Sequence, residues 1–206
     1  MPHRKIGYAI SDRMTVLGDY SHERELDRGV EYVVMQYLER ILSAYEITGR
    51  IIGLAVLLIG AGGRRKLAEL LFGSGVGEER NNRVFREMMS TVCSPDAFTG
   101  SILAGIGSGE IAVEREAIAS HLKLLVAEQM REVPEQQISG FMARVGEAGS
   151  VFNLTCPETN VLMFLFCLYY SRIEPLYCFE NNITIPEFYT LVSVATGCTL
   201  AEVKCA

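Results

Sequence analysis

The sequence lacks the long apolar run that a membrane-spanning helix needs. Its most apolar stretches are Ile51–Ile59 and Val161–Tyr170, and each reaches about half of the roughly 20 residues required to cross a bilayer. The N-terminus carries cations but no apolar segment before Asp12, so we expect no signal peptide. With 49% hydrophobic and 21% charged residues, the 206-residue composition instead predicts a globular chain that can bury a core.

Histidine is scarce, and paired cysteine motifs are absent. The three histidines, His3, His22 and His121, have no cysteine at zinc-ligand spacing, and none of the six cysteines forms a C-x-x-C motif. We therefore predict reduced thiols in a cytosolic or nuclear protein rather than a disulfide framework. Because no histidine has the partners that nucleophilic catalysis requires, the sequence predicts no metal, no cofactor and no enzyme activity.

Two glycine-rich stretches superficially resemble nucleotide-binding loops. In Gly60–Lys66, arginines separate the last glycine from the lysine, and Leu67 stands where a P-loop has the Ser or Thr that binds magnesium. Gly105–Gly109 has no preceding strand and no βαβ unit around it. We interpret both stretches as turns between helices.

The spacing of apolar residues predicts an all-α fold of about nine to eleven helices in one or two packed bundles. The clearest helix begins at an N-cap at Ser21 and continues to Ile47. Residues 1–20 favour a short helix. A strand at Ile51–Ile59 would have no partner, so this run is interpreted as a fully buried helix.

Further helices are predicted along the rest of the chain. Val161–Arg172 is apolar nearly all round, so we expect a central core helix there, and Gly146–Pro157 is expected to be a connection. One further helix is predicted to begin at Arg64, another to carry Arg80, Arg83 and Arg86, and a third to run from Pro95 to the Gly105–Gly109 turn. The last four predicted helices span Glu110–Arg131, Glu135–Val145, Pro186–Ala195 and Thr199–Lys204.

Three segments describe the predicted domain organisation. They are an N-terminal helical subdomain at 1–92, a second bundle at 93–175 and a short helical tail at 176–206. A boundary near Ser90–Gly109 and one near Gly146–Pro157 are both compatible with the pattern.

The stretch Thr48–Glu87 differs from the rest of the chain in its charge. It holds seven cations and four acids, a local charge of +3, within a chain of net charge −6. This favours an anionic partner, which could be a membrane, a nucleic acid or the acidic face of another subunit; the alternative is an ordinary solvated face. The candidate anion- and membrane-binding residues are Arg50, Arg64, Arg65, Lys66, Arg80, Arg83 and Arg86.

The order of segments in this region resembles the matrix protein of orthomyxoviruses, the influenza-type layer beneath the viral envelope. A buried segment, Gly49–Leu58, is followed by the Arg64–Lys66 cluster, a Gly/Asn-rich linker at Gly73–Asn82 and a basic helix at Arg83–Met89. A looser similarity covers Ser139–Arg172. The acidic overall charge, the dispersed arginines and the short C-terminal tail favour a divergent genus over influenza.

The resemblance implies a structural protein that binds the inner face of an anionic membrane and polymerises into a layer in the virion. It also implies contacts with the viral ribonucleoprotein and with envelope glycoprotein tails, and a presence in host cytoplasm and nucleus. Because the basic residues are dispersed, we expect direct RNA binding to be weak.

Self-assembly needs a complementary surface. Residues 97–206 hold six cations and twelve acids, which permits a head-to-tail contact with a basic N-terminal face. Apolar residues of the tail, Ile183, Phe188 and Tyr189, are the candidates for such self-association. The alternative function is a soluble helical adaptor or inhibitor that binds a partner helix, as viral cell-death regulators do.

Overall fold

A computed structural model of the chain describes residues 20–72, 83–109, 111, 115–170 and 184–206. Within these residues the fold is all-α, with ten helices and no strand, as the sequence predicts. The helices are α1 (Tyr20–Ala44), α2 (Gly49–Leu58), α3 (Gly60–Phe72), α4 (Arg83–Ser90), α5 (Pro95–Ser108), α6 (Arg115–Arg131), α7 (Glu135–Val151), α8 (Cys156–Tyr170), α9 (Ile185–Thr196) and α10 (Leu200–Cys205).

Helix α1 lies at the centre of the fold. Its inner side is apolar at helical spacing, and it packs against α2, α6, α7, α8 and α9. At its contact with α7 the backbones come close, because a Cβ atom at Gly29 would overlap the side chain of Phe141. Near its C-terminal end, Arg40 Nη1 donates a hydrogen bond to the carbonyl of Ala195 at 2.7 Å, in the last turn of α9. The predicted short helix in residues 1–20 lies almost wholly outside the described residues.

The Ile51–Ile59 run is helical as far as Leu58, as predicted, but it is not fully buried, because Ile51, Leu54, Leu57 and Leu58 are half-buried. The turn that follows it is shorter than expected. The Thr48 side chain caps α2 by accepting from the amide of Ile51. In the turn after α2, Gly60 adopts the left-handed conformation with φ of +66°, and α3 begins at that residue, so that Gly62 and Gly63 lie within the helix. The prediction that the next helix begins at Arg64 was therefore one turn late.

Helix α5 begins with Pro95 in its first turn and ends at Gly109, which has a left-handed φ of 73°. Gly105 lies inside this helix and not in the predicted turn. A Cβ atom there would lie 2.6 Å from Ile111 Cδ1, so glycine at this position allows close packing.

The predicted connection at Gly146–Pro157 was wrong for its first half. Helix α7 continues to Val151, and only 152–155 separate it from α8. Gly149 lies within α7, where a Cβ atom would approach Thr159 Oγ1 of α8 to 2.8 Å. Glycine therefore serves the close contact between the two helices of this hairpin and does not end the first one.

Helices α9 and α10 both begin with complete capping boxes. The hydroxyl and the amide of Thr184 pair with Glu187, and those of Thr199 pair with Glu202. The buried apolar residues of α1 to α10 form one core cluster. The division into segments 1–92, 93–175 and 176–206 stays a prediction.

Candidate interaction surfaces

Arg64, a predicted surface cation, is buried. Its Nε donates to the carbonyl of Val92 at 2.5 Å and its Nη1 to the carbonyl of Val56 at 2.8 Å, and the residue is only 6% exposed. Val56 lies in the last turn of α2, where carbonyls have no partner within the helix. Arg64 therefore caps α2 and holds the turn after α4, and burial lowers the pKa of its guanidinium. It is not available to a membrane, so this assignment is corrected.

Two other predicted cations have carboxylate partners. Lys66 Nζ lies 3.8 Å from an oxygen of Glu128 and 3.6 Å from one of Glu132, both on α6. Arg83 pairs with Glu87 one turn further along α4, at 3.8 Å. These pairs are exposed and contribute little to stability, but they offset the positive charge locally.

Three of the predicted cations remain available at the surface. Arg50, Arg65 and Arg86 lie on α2, α3 and α4 and are exposed, and among the described residues no carboxylate lies within 4.0 Å of them. Arg50 is near the start of α9, because it contributes to the lowered pKa of Glu187. The seventh predicted cation, Arg80, lies outside the described residues.

Two of the predicted self-association residues are partly covered by their own chain. Phe188 and Tyr189 are half-buried on α9 and pack against the core, because α9 lies against α1 and α8. The assignment of these two residues to a contact between copies stays a prediction. Ile183 lies outside the described residues.

The outer face of α8 is an apolar surface that the sequence interpretation missed. Met163, Phe164, Cys167 and Leu168 face the core, and the ring of Phe164 meets that of Tyr37 edge-on at 5.3 Å. The opposite face is exposed to solvent and equally apolar. It consists of Leu162 (46% exposed), Leu165 (42%), Phe166 (40%) and Tyr169 (77%).

A cleft of about 270 Å³ runs between α7 and α8, beside the exposed face of α8. Its walls are apolar apart from Thr159 and Arg144. The apolar lining includes Phe141, Val145, Ala148, Gly149, Leu162 and Phe166. At the tip of the hairpin, Val151 is 79% and Phe152 68% exposed. Together with the outer face of α8, these residues form what we call the α7–α8 surface.

The expectation of a core helix at α8 was thus half right, because one face is buried and the other is not. Apolar residues at 162, 165, 166 and 169 follow the spacing of a single helical stripe. A helix that is apolar on both sides can bury one side inside its own chain and the other against a second molecule. Separating the two stripes along the helix would have revealed this possibility.

Neither a catalytic nor a metal-binding arrangement is predicted from the sequence. Within the residues that the structure describes, no group of three or more His, Cys, Asp or Glu side chains could hold a metal ion. His121 is half-buried on α6, and its Nδ1 has no hydrogen-bond partner. The absence of enzyme activity stays a prediction.

None of the described helices is long and apolar enough to cross a bilayer. Comparisons with protein-family models, curated proteins and solved structures find no match to this chain. The resemblance to orthomyxovirus matrix proteins therefore stays a prediction from the order of sequence segments.

Proposed function

We propose that this chain is a structural protein of the matrix type, which adsorbs on an anionic membrane surface and associates with copies of itself into a layer. The supporting observation is the set of exposed cations Arg50, Arg65 and Arg86, which have no described carboxylate within 4.0 Å. Because the whole chain carries −6, such cations on α2, α3 and α4 favour an anionic partner for this part of the molecule. The viral setting, a layer joining envelope and ribonucleoprotein, rests on the sequence resemblance alone.

The magnitude of the attraction explains why assembly belongs to the proposal. A basic residue close to an anionic leaflet contributes roughly 1 kcal/mol, so three arginines contribute about 3 kcal/mol, which is weaker than a millimolar dissociation constant. One molecule would bind only transiently. An assembly that presents many copies of the same arginines would bind far more tightly through avidity.

Co-sedimentation with vesicles tests the membrane step. We expect the protein to pellet with phosphatidylserine-rich vesicles and not with neutral ones, and we expect the bound fraction to fall as salt screens the charges. The triple variant Arg50→Glu, Arg65→Glu, Arg86→Glu should abolish pelleting. Arg64 stays unchanged in this variant because it is part of the core.

A matched control distinguishes the effect of these three positions from the effect of the net charge. The variant Lys123→Glu, Arg131→Glu, Lys204→Glu changes the charge by the same amount at three exposed cations on other helices. If both triple variants lose binding equally, the α2–α4 arginines have no special role. If the wild-type protein fails to bind anionic vesicles at low salt, the membrane proposal is wrong.

A second candidate function, a helical adaptor that binds a partner helix, is favoured by one observation. The cleft between α7 and α8 is apolar and open, and grooves of this kind accept the apolar face of an amphipathic helix. A monomeric protein that binds an amphipathic leucine- and phenylalanine-rich peptide, and not vesicles, would support this function over the first.

A further inference from the structure

We propose that the α7–α8 surface is the contact between two copies of this chain, with α8 of one copy lying antiparallel to α8 of the other. This inference rests on the proposed self-association and assigns its first contact. Three observations support it, namely the area of the surface, its charge and the order of residues along α8.

The exposed apolar area lies at the upper end of what a monomer surface carries. Six residues of this surface contribute, with exposed fractions between 40% and 79%: Val151, Phe152, Leu162, Leu165, Phe166 and Tyr169. At roughly 150–200 Å² for each full side chain, they expose on the order of 600 Å². The largest apolar patch of a typical monomer is about 300–600 Å², and each partner in a standard interface buries about 800 Å².

The charges around this surface do not suit an anionic membrane. From Asn160 to Tyr169, α8 has no charged side chain, and within the described helices α7 and α8 the charged residues are Glu135, Arg144, Glu147 and Glu158. Their sum is negative, so an anionic leaflet would gain no electrostatic attraction here. Two copies of α8, by contrast, can meet along this stretch without bringing like charges together.

The order of residues on α8 is complementary to itself in the antiparallel direction. A two-fold axis between residues 165 and 166 places Tyr169 of one copy opposite Leu162 of the other. The same axis places Phe166 opposite Leu165. Every aromatic side chain of the stripe then meets an aliphatic one, which is the large-against-small arrangement that close packing requires.

Sedimentation of the protein tests the contact without lipid. We expect a dimer, or a larger assembly built from dimers, whose dissociation constant rises at least about tenfold in Leu165→Glu, because the variant places a charge in an apolar interface. The matched control is Leu200→Glu, since Leu200 is 40% exposed against 42% for Leu165 but lies on α10. Circular dichroism establishes that both variants are folded. A wild-type protein that is monomeric at every concentration, or equal effects of the two variants, would overturn the proposal.

Cysteine cross-linking tests the direction of the helices. In a background with every cysteine except the buried Cys167 replaced by serine, Leu165→Cys should form a disulfide-linked dimer under mild oxidation, because the two sites lie beside the axis. Tyr169→Cys should not, because its copies lie seven residues apart along the axis, roughly 10 Å at 1.5 Å per residue. Cross-linking at both sites, or only at Tyr169→Cys, would exclude the antiparallel arrangement.

The two proposals fail separately. If dimers form but vesicles are not bound, the membrane step is wrong and the α8 contact stands. If the protein binds vesicles but is monomeric in solution, both as wild type and as the Leu165→Glu variant, the contact assigned here is wrong and adsorption stands.

Discussion

Replacing Arg64 with alanine is expected to lower the free energy of unfolding by about 3 kcal/mol or more. The guanidinium donates to the carbonyls of Val56 and Val92 and is 6% exposed. Each hydrogen bond from a charged group contributes about 1.5–3 kcal/mol, so the pair is worth about 3–6 kcal/mol. The lower end is expected, because the substitution also removes the cost of burying the charge.

Urea unfolding followed by far-ultraviolet circular dichroism measures this loss. Arg65→Ala is the matched control, because Arg65 is the next residue on the same helix and is exposed; it should change stability by less than about 0.5 kcal/mol. The stability loss of Arg64→Lys should lie between those of Arg64→Ala and Arg65→Ala, since an ammonium group lacks the planar fork that reaches two carbonyls. If Arg64→Ala costs less than about 1 kcal/mol, or no more than Arg65→Ala, the structural role assigned to Arg64 is refuted.

This role also determines how membrane experiments must be designed. Reversing the charge of Arg64, Arg65 and Lys66 together would place a carboxylate among buried groups at position 64, facing two carbonyl oxygens. We expect such a variant to unfold or aggregate. Its failure to bind vesicles would say nothing about the surface charge of the folded protein.

Further predictions concern glycine, cysteine and the helix caps. Gly29→Ala should destabilise by about 1–3 kcal/mol because its methyl group overlaps a facing phenylalanine, whereas Gly62→Ala, with open space around it, should stabilise by about 0.5–1 kcal/mol; urea unfolding compares the two. Burial raises the pKa of Cys167 to about 12, so under native conditions iodoacetamide, with mass spectrometry as readout, should modify the exposed Cys93 and spare Cys167. Hydrogen bonds from the capping threonine lower the pKa of Glu187 below its ordinary value of 4.5, so the carboxylate stabilises the fold above that pH, and the stability difference between wild type and Glu187→Gln should shrink as the pH falls below it.

The number and type of helices could be predicted because apolar periodicity determines them locally. The glycines were harder to interpret, because glycine has two unrelated uses. Gly60 and Gly109 adopt positive φ angles at helix ends, whereas Gly105 and Gly149 lie within helices and allow a close neighbour. The two uses cannot be told apart in the sequence. Glycine within a helix was therefore interpreted as a helix end, and the connection predicted at Gly146–Pro157 was half wrong.

The burial of Arg64 could have been predicted from the helix that contains it. Gly60, Leu67 and Leu71 lie four, three and seven residues away, on the same side of α3 as Arg64. Arg65 and Lys66 are rotated away from that side by about 100° per residue. Three consecutive cations therefore cannot share one surface, and counting them as a single cluster overstated the patch.

The exposed face of α8 shows why apolar content alone does not locate a core. Leu165 and Leu168 are three residues apart and chemically identical, yet the first is 42% and the second 8% exposed. Nothing in the side chains distinguishes burial within the chain from burial against another molecule. Only the position of α8 relative to α1 and α9 separates the two faces, and that position depends on the tertiary structure.

The two proposed surfaces belong to different groups of helices, and this makes their independence testable. The exposed arginines lie on α2, α3 and α4, whereas the apolar contact lies on α7 and α8; α1 packs against α2, α7 and α8 and joins the two groups. Substitutions in separate groups should therefore have additive effects on folding stability. Vesicle binding should not be additive in the same way, because an assembly that presents the arginines of several copies to one membrane binds through avidity. A variant that cannot dimerise would then lose avidity for vesicles while keeping every arginine in place.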